Sequence, residues 1–295
     1  MNKGYIISNG YINLNKMGEL VNHFEWLFKK HGYDVKVINT DKILPVINNN
    51  GSIQVSGIDK TSDFILFWDK DVLLAGVLER AGHKLYNNAK SIEICDNKIY
   101  THYFLANHSV IMPKTIPGPL IFEGSPFYDE KFITEVEKQL GYPMIIKEAY
   151  GSFGKQVYLC NNREEVQKLC QKLKYKPHLF QQFVSESSGK DIRIFVVGGK
   201  VVASMLRENS NDFRANISNG GKMTSINPAK EYLDLALKAA KIIGLDYCGV
   251  DILIGKNGPV LCEVNSNAHF KNIQICSGID VAEHYVKYIL KNIKL

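Results

Sequence analysis

The stretch GVDILIGKNGPVLCEVNSN, residues 249–267, contains two apolar runs joined by a short turn, and each run carries one acidic residue. These residues are Asp251 and Glu263, and they stand where a simple core strand would carry Val or Leu. An ionised carboxylate on a partly buried strand is costly unless a cation or a hydrogen-bond network compensates its charge. The hairpin therefore predicts a site that contains a counter-charge.

The register of this hairpin decides whether the two carboxylates meet. A three-residue loop at 256–258, with Gly258 in the left-handed conformation, would pair Asp251 with Glu263 across the two strands. Asn265 would then share a face with Glu263, because side chains alternate along a strand. Like charges directly opposite each other are destabilising, and three oxygen-bearing side chains suit Mg²⁺ or Mn²⁺. A two-residue loop would instead put the acids on opposite faces and leave a solvated edge.

The composition is that of an ordinary globular protein. The 295 residues predict about two domains, or two to three small ones, with a sizeable core, since 45% are hydrophobic and 22% charged. The net charge of +6 is scattered, which favours anionic ligands such as nucleotides over a nucleic-acid surface. We expect no secretory signal and no membrane partner. Six widely spaced cysteines indicate reduced thiols and a cytoplasmic protein.

Short apolar runs alternate with helical patterns along the chain, which predicts a combination of α/β and α+β architecture. Residues 1–88 are typical of a parallel-sheet domain with crossover helices. We expect a lobe with a glycine-rich turn over 89–184, beginning with one helix over roughly 89–107. Residues 185–295 complete the protein with two hairpins. The polar stretch 209–228 lacks a clear period, and loops of that length are usually functional.

A second candidate site lies in PMIIKEAYGSFGK, residues 143–155. Lys147 ends a predicted strand, and Gly151 and Gly154 bracket a turn whose backbone can approach a ligand closely. Neither of the two standard nucleotide-binding fingerprints is present. The pattern predicts a flap over phosphate groups, with backbone amides and Lys155 as donors. An ordinary hairpin loop with a surface lysine is the alternative.

Three arginines come close to the same predicted sheet. Asp191 and Arg193 share one strand face, Arg207 ends the partner strand, and Arg214 and Asn216 lie in the polar stretch that follows. The guanidinium fork matches phosphate and carboxylate groups with two hydrogen bonds each, so the set favours binding of an anion. A set of surface ion pairs with neighbouring acidic residues is the alternative.

Taken together and in this order, these stretches resemble the ATP-grasp superfamily and, within it, the RimK-like carboxylate–amine ligases. The resemblance covers roughly residues 88–293, and the stretch DFRANISNGG at 212–221 is a further motif within this range. The first domain is similar only in general pattern. It implies an ATP-grasp fold with an N-terminal parallel-sheet pre-ATP-grasp domain, a central lid lobe and a C-terminal antiparallel-sheet lobe.

The resemblance also implies three groups of site residues around one ATP molecule. The group that contacts the nucleotide comprises Lys98, Lys147, Gly151, Ser152, Gly154, Gln182, Phe183, Val184, Asp191 and Arg193. The group that holds Mg²⁺ or Mn²⁺, with two ions expected, comprises Asp251, Glu263 and Asn265. The catalytic group, which steadies the transferred phosphoryl group and the acyl intermediate, comprises Arg207, Arg214 and Asn216.

Enzymes of this kind phosphorylate a carboxylate with ATP, and an amine then attacks the acylphosphate to give an amide, ADP and phosphate. The implied partners are ATP, a carboxylate of an amino acid or peptide, and an amine on a small molecule, peptide or protein tail. Two departures limit the inference: Gln182 replaces the expected linker acid, and NSNAHF at 265–270 replaces the usual N-A-S-P-G on the acceptor side. A catalytically silent nucleotide-binding or interaction module is the alternative, and a homo-oligomer stays open.

Overall fold

Three larger β-sheets, each with helices packed against it, form the structure, a computed structural model that describes residues 4–11, 15–125 and 130–293. A two-stranded sheet is added to the first of them. None of the helices in these ranges is long and apolar enough to cross a membrane. The expectation of a mixed α/β and α+β protein is confirmed.

The first sheet is parallel throughout, as predicted, in the order β2-β1-β5-β6. Its strands are β1 (Gly4–Ser8), β2 (Val35–Asn39), β5 (Phe64–Trp68) and β6 (Leu85–Tyr86). Helices α1 (Asn15–Lys30) and α2 (Val72–Arg80) connect them, and β3 (Leu44–Ile47) pairs with β4 (Ile53–Ser56). Every residue of β1 and β5 is buried, because helices and neighbouring elements cover both faces of the sheet. The carboxyl ends of these two strands therefore meet at one edge.

The second sheet is antiparallel, in the order β7-β10-β8-β9. Its strands are β7 (Thr115–Pro117), β8 (Met144–Glu148), β9 (Val157–Cys160) and β10 (His178–Gln182), and its helices are α5 (Glu130–Leu140) and α6 (Arg163–Leu173). The glycine-rich turn joins β8 to β9, so it projects from the end of the strand that carries Lys147. The sequence-based prediction of a strand, turn and strand at this place is confirmed.

The third sheet is also antiparallel, in the order β13-β12-β11-β14-β15. Its strands are β11 (Lys190–Val197), β12 (Lys200–Glu208), β13 (Lys222–Ser225), β14 (Tyr247–Gly255) and β15 (Gly258–Asn265). Helix α7 (Lys230–Ile243) packs against one face, and α8 (Lys271–Ser277) and α9 (Val281–Asn292) lie on the other. The core under α9 is continuous with the core under α1, since Phe24 and Tyr285 belong to one apolar cluster. The first sheet is thereby attached firmly to the third.

The polar stretch 209–228 is less irregular than predicted, because it contains the edge strand β13. The single helix expected over 89–107 is wrong in a similar way, because the structure has two helices there, α3 (Ala89–Asp96) and α4 (Lys98–Leu105). Asn97 lies between them with an extended backbone. Its side-chain oxygen accepts hydrogen bonds from the backbone N–H groups of Ile99 and Tyr100. Asparagine is a favoured N-cap because it satisfies these otherwise unpaired donors. Lys98 consequently begins a helix instead of lying within one.

Helix α4 packs on the third sheet, whereas α3 contributes to the cores of both the first and the third sheet. Ile94 and Leu105 share an apolar cluster with Ile194 and Val250 of that sheet. The domain boundaries at 88/89 and 184/185 stay predictions.

A buried histidine fixes α4 against the second sheet. Gln181 donates its side-chain amide to Nε2 of His102, and Nδ1 of His102 lies 2.9 Å from the carbonyl oxygen of Lys98. The amide nitrogen of Gln181 can only donate, so Nε2 of His102 must accept this hydrogen bond. The ring proton is then on Nδ1, which donates a hydrogen bond to the carbonyl oxygen of Lys98. Burial lowers the pKa of His102 to about 4, so the ring stays neutral near pH 7.

Acid should therefore destabilise this protein partly through His102. The unfolded chain takes up the proton near the ordinary pKa of 6.5, well before the folded chain does, so the free energy of unfolding falls as pH drops from 6.5 towards 4. Between pH 7 and pH 5 the wild type should lose about 2 kcal/mol more than His102→Gln, which lacks the titrating ring. Denaturant unfolding of both proteins at the two pH values measures this, and equal losses would contradict it.

Candidate functional site

A cavity of about 580 Å³ lies where the three sheets meet. Its wall includes the ends of β1 and β5, the turn between β8 and β9, the end of β10 and the facing strands of the third sheet. Every residue of the three groups implied by the resemblance lines this one cavity. The structure therefore brings together residues that are far apart in the chain. Lys155, expected from the sequence as a further donor of the flap, is exposed and does not line it.

The floor of the cavity is a buried network of two acids and two arginines. Arg207 donates from Nε and Nη2 to the two carboxylate oxygens of Asp191, each at 2.6 Å. Arg193 binds Asp251 in the same two-pronged way at 2.6 Å. A further contact of 3.1 Å between Arg207 and Asp251 joins the two pairs. The network has no net charge, which makes its burial tolerable.

The register of the sheet creates this network. Asp191 is the direct cross-strand partner of Arg207, and Arg193 is that of Asp251, so the charges face each other on three adjacent strands. Burial alone would raise the pKa of Asp251, but the charges of Arg193 and Arg207 outweigh it and hold the pKa below its ordinary value. The counter-charge that the sequence demanded for Asp251 is thus provided by guanidinium groups of the same sheet.

The opening hairpin reaches the predicted pairing by a different route. Asp251 and Glu263 are cross-strand partners, as expected, but Gly255 pairs with Gly258, so the loop has two residues instead of the three predicted. A two-residue loop alone would have put the acids on opposite faces. The register shifts by one residue between the turn and the acids, and the extra residue is Cys262. This β-bulge restores the alignment of the two carboxylates.

The donor set at the hairpin fits a hard divalent cation. Glu263 is partly exposed to the cavity, and one of its oxygens lies 3.3 Å from Nζ of Lys98. Among the described residues, the buried side-chain nitrogen of Asn265 has no hydrogen-bond partner. The described residues hold no group of three or more His, Cys, Asp or Glu side chains arranged to bind a metal ion by themselves. Glu263 and the amide oxygen of Asn265 suit Mg²⁺, which commonly takes one or two carboxylates and completes its shell with waters and substrate phosphates. Both oxygens of Asp251 already accept hydrogen bonds from arginines, so Asp251 would have to share them with the ion.

The glycine-rich turn, residues 151–154, lies over the cavity as a flap, and residues from other parts of the chain contact it. Lys98 donates to the carbonyl oxygen of Gly151 at 2.9 Å, and Arg214 donates to that of Gly154 at 2.6 Å. The ring of Phe153 meets His269 edge-to-face, with 5.7 Å between the ring centroids. The flap therefore contacts α4, the polar stretch and the segment after β15 at once.

Glycine is required at position 154 of the flap. Its φ is +70°, a conformation that L-residues rarely adopt, and a Cβ there would lie 2.6 Å from Oδ1 of Asn216. Arg214, which holds this end of the flap, is itself anchored by Asp212. That hydrogen-bonded pair lowers the pKa of Asp212. One of the surface ion pairs considered from the sequence is therefore present, and it positions the arginine on the flap.

Lys147 is the cation of this cavity that stays available for a ligand. It is buried in β8, and Nζ lies 3.8 Å from Sγ of Cys262. Within the described ranges it makes no ion pair with a carboxylate. A buried ammonium group without a counter-ion is unfavourable in the free protein, so an anionic ligand beside it is stabilised.

The family described as the RimK-like ATP-grasp domain matches residues 95–289, which is more than half of the chain. This protein belongs to the RimK-like ATP-grasp family. The matched part contains α4, the flap, the four-residue ion network and the hairpin with Glu263. The motifs on which the resemblance was based lie inside it, except for residues 87–94 at the start of the first one.

Relatives of this RimK-like protein carry the names of synthases and ligases. It is 36% identical over 225 residues to N-acetylaspartylglutamate synthase A of Homo sapiens, a match that covers 75% of this chain and 56% of the relative. The chain thus spans about half the length of that relative. It is 35% identical over 274 residues to a probable alpha-L-glutamate ligase of Maridesulfovibrio salexigens, covering 88% of both proteins.

A solved structure shows the same fold. The ATP-grasp ligase PsnB, complexed with a phosphomimetic variant of a minimal precursor, Mg and ADP, superposes with a TM-score of 0.73 at 16% sequence identity, and the match covers 98% of both chains. The expectation of an ATP-grasp fold is confirmed by this likeness, which includes the first sheet.

Sequence reasoning missed the part of the cavity wall that the first sheet provides. Asn9 follows β1, and Trp68, Asp69 and Lys70 lie at or just after the end of β5. A general signal for them existed, because ligands of open α/β sheets bind beyond the carboxyl ends of the strands. The segment 265–270 was noted as a departure from the family pattern, but its contacts with the first sheet were not foreseen.

Removing one arginine from the ion network should destabilise the fold strongly. Arg207 is only 3% exposed, so Arg207→Leu leaves the buried carboxylate of Asp191 without its partner. An unpaired buried charge is costly, and we expect the free energy of unfolding to fall by about 3–5 kcal/mol. Glu208→Gln breaks the exposed pair with Lys190 on the next rung of the same ladder and should cost about 1 kcal/mol or less. Chemical denaturation compares the two, and similar losses would show that the network is not the main constraint.

Proposed function

We propose that this protein is an ATP- and Mg²⁺-dependent ligase that joins a carboxylate of an amino acid or peptide to an amine through an acylphosphate. The observation that carries the proposal is the single cavity in which Lys147, the glycine flap and the paired acids Asp251 and Glu263 meet. Membership of the RimK-like family and the names of the relatives support the same reaction class.

The first step transfers the γ-phosphoryl group of ATP to the substrate carboxylate. Such a transfer needs positioning and neutralisation of charge more than covalent help from the protein. Lys147 and Lys98 would contact the phosphates from β8 and α4, and Arg214 and Asn216 would face the transferred group from below the flap. Asp251, Glu263 and Asn265 would hold Mg²⁺, with two ions proposed, and the metal would supply positive charge to the phosphates.

The adenine would lie beside Gln182, Phe183 and Val184 at the end of β10. Asp191 would lie near the ribose. Arg207 uses Nε and Nη2 for the ion network, so we propose that it acts on the phosphoryl group mainly by holding Asp191 and Asp251 in place. Arg193 would face the substrate from the same network.

The second step forms the amide. The amine nitrogen attacks the acyl carbon, and the C–O bond to the phosphoryl group breaks as the C–N bond forms. The ammonium form loses two protons overall, one to the departing phosphate and one to solvent. An acylphosphate reacts readily with water, so the flap contacts of Lys98, Arg214 and Phe153 have a function in excluding solvent.

Glutamate is the first substrate to examine, because both relatives are named for products or substrates that contain it. The segment NSNAHF differs from the family pattern at the acceptor side, so the substrate pair itself is part of the proposal. A cytoplasmic location is proposed as well, and the six free cysteines support it, since reducing compartments keep thiols unpaired.

The proposal is tested by ADP release from ATP and Mg²⁺ with a panel of L-amino acids, N-acetyl-L-aspartate and dipeptides, each alone and together with L-glutamate. We expect ADP formation that depends on a carboxylate and an amine, with the amide product identified by mass spectrometry. A nucleotide-binding module without catalysis would bind ATP and release no ADP that depends on these additions. That outcome would overturn the ligase proposal.

Glu263→Gln should reduce the extent to which Mg²⁺ strengthens nucleotide binding. The neutral amide is a poor ligand for Mg²⁺, so ADP formation should fall at least 100-fold while the thermal unfolding midpoint changes little. Calorimetric titration with a non-hydrolysable ATP analogue should show that Mg²⁺ strengthens binding to the wild type and much less to the variant. Glu148→Gln, at an ion-paired glutamate outside the cavity wall, is the matched control. A Mg²⁺ effect equal in all three proteins would refute the metal assignment.

A further inference from the structure

One carboxylate in the cavity wall has no cation beside it. Asp69 directly follows β5, at the carboxyl edge of the parallel sheet, and is only 7% exposed. Its oxygens accept hydrogen bonds from the side-chain amide of Asn9, at 3.0 and 3.3 Å, and from the backbone N–H of Lys70, at 2.6 Å. In the described part of the chain it makes no ion pair with a Lys, Arg or His side chain.

Each of the other acids described in the cavity wall has a cationic side chain beside it or caps a helix. Asp191 and Asp251 are paired with arginines, and Glu263 contacts Lys98. Asp71 caps α2 by accepting the backbone N–H of Leu74 at 2.9 Å. Asp69 is therefore the buried acid of this wall whose charge lacks compensation, and such an arrangement is costly unless a cationic ligand completes it.

The electrostatic state of Asp69 agrees with a missing counter-charge. Burial raises its pKa, and the hydrogen bonds from Lys70 and Asn9 offset this only in part. An ammonium group beside the carboxylate would favour the ionised form and reverse the effect of burial.

The position of Asp69 connects it with the acceptor side of the reaction. Asn267, in the segment after β15, donates its side-chain amide to the carbonyl oxygen of Asp69 at 2.7 Å. On the other side, Nζ of Lys70 lies 3.5 Å from Oγ of Ser152 in the flap. Asp69 thus lies between the segment that departs from the family pattern and the flap over the phosphates.

We propose that Asp69, oriented by Asn9, binds the ammonium group of the amine substrate and selects ammonium-bearing acceptors over uncharged nucleophiles. This inference rests on the ligase function proposed above and adds to it a residue that determines acceptor specificity. The first sheet then contributes a charged contact to the substrate, in addition to its place in the wall.

The test compares a charged and an uncharged acceptor with the same acyl donor. L-Glutamate carries an ammonium group, whereas hydroxylamine is largely uncharged near neutral pH and converts an acylphosphate to a hydroxamate. Asp69→Asn should raise the KM for L-glutamate at least tenfold and change kcat/KM for hydroxamate formation less than twofold. Asp234→Asn, the same change at an exposed, ion-paired aspartate outside the cavity wall, should leave both reactions within twofold of the wild type.

The outcomes separate this inference from the ligase proposal. If the wild type forms neither ADP nor hydroxamate, the ligase proposal fails. If the wild type forms both products and Asp69→Asn lowers the two reactions equally, or neither, the assignment of Asp69 is overturned while the ligase stands. Asn9→Ala keeps the carboxylate but removes the amide that orients it, so it serves if Asp69→Asn does not fold. It should raise the KM for L-glutamate about threefold with hydroxamate formation unchanged, and an unaltered KM would count against the proposal.

Discussion

The buried pairing of Asp191, Arg207, Asp251 and Arg193 is the constraint on which the cavity depends. Each acid faces an arginine on the neighbouring strand. The floor of the cavity is therefore neutral only when the three strands keep this register. A slip of one residue would put charges into the apolar core under α7, at a cost of several kcal/mol. The chemistry of the floor therefore also fixes the geometry of the sheet, and phosphate groups would meet a surface that is already neutral and rigid.

Above this floor the protein assembles its site from segments that are distant in the sequence. The flap belongs to the second sheet, but its contacts come from α4, the polar stretch and the segment after β15. The first sheet joins the same wall through Asp69 and Lys70. Binding in the cavity would consequently influence the flap, because side chains that line the cavity also contact the flap.

Much of this could be predicted from the sequence where the signal is local. The glycines of the flap, the strand of Lys147 and the acids of the hairpin lie in short patterns with a direct structural meaning. The break between α3 and α4 at Asn97 and the bulge at Cys262 could not be predicted from the sequence. At each place the backbone has two possible hydrogen-bonding patterns, and contacts with neighbouring elements of the fold decide between them. The role proposed for Asp69 could not be predicted from the sequence for another reason: whether an acid after a strand lacks a cationic partner is decided by residues that are distant in the chain and close in the fold.

The bulge at Cys262 has a consequence for how this hairpin can vary. Between Gly258 and Leu261 the side chains of β15 alternate as the two-residue loop dictates. From Glu263 onward the alternation is shifted by one residue. Changes confined to the two-residue loop leave Asp251 and Glu263 aligned, and loss of the extra residue would let the ladder run without a shift to the same pair. Insertion of a second extra residue between Gly258 and Glu263 would instead exchange the inner and outer faces of the base. The extra residue makes the orientation of Asp251 and Glu263 independent of the shape of the loop.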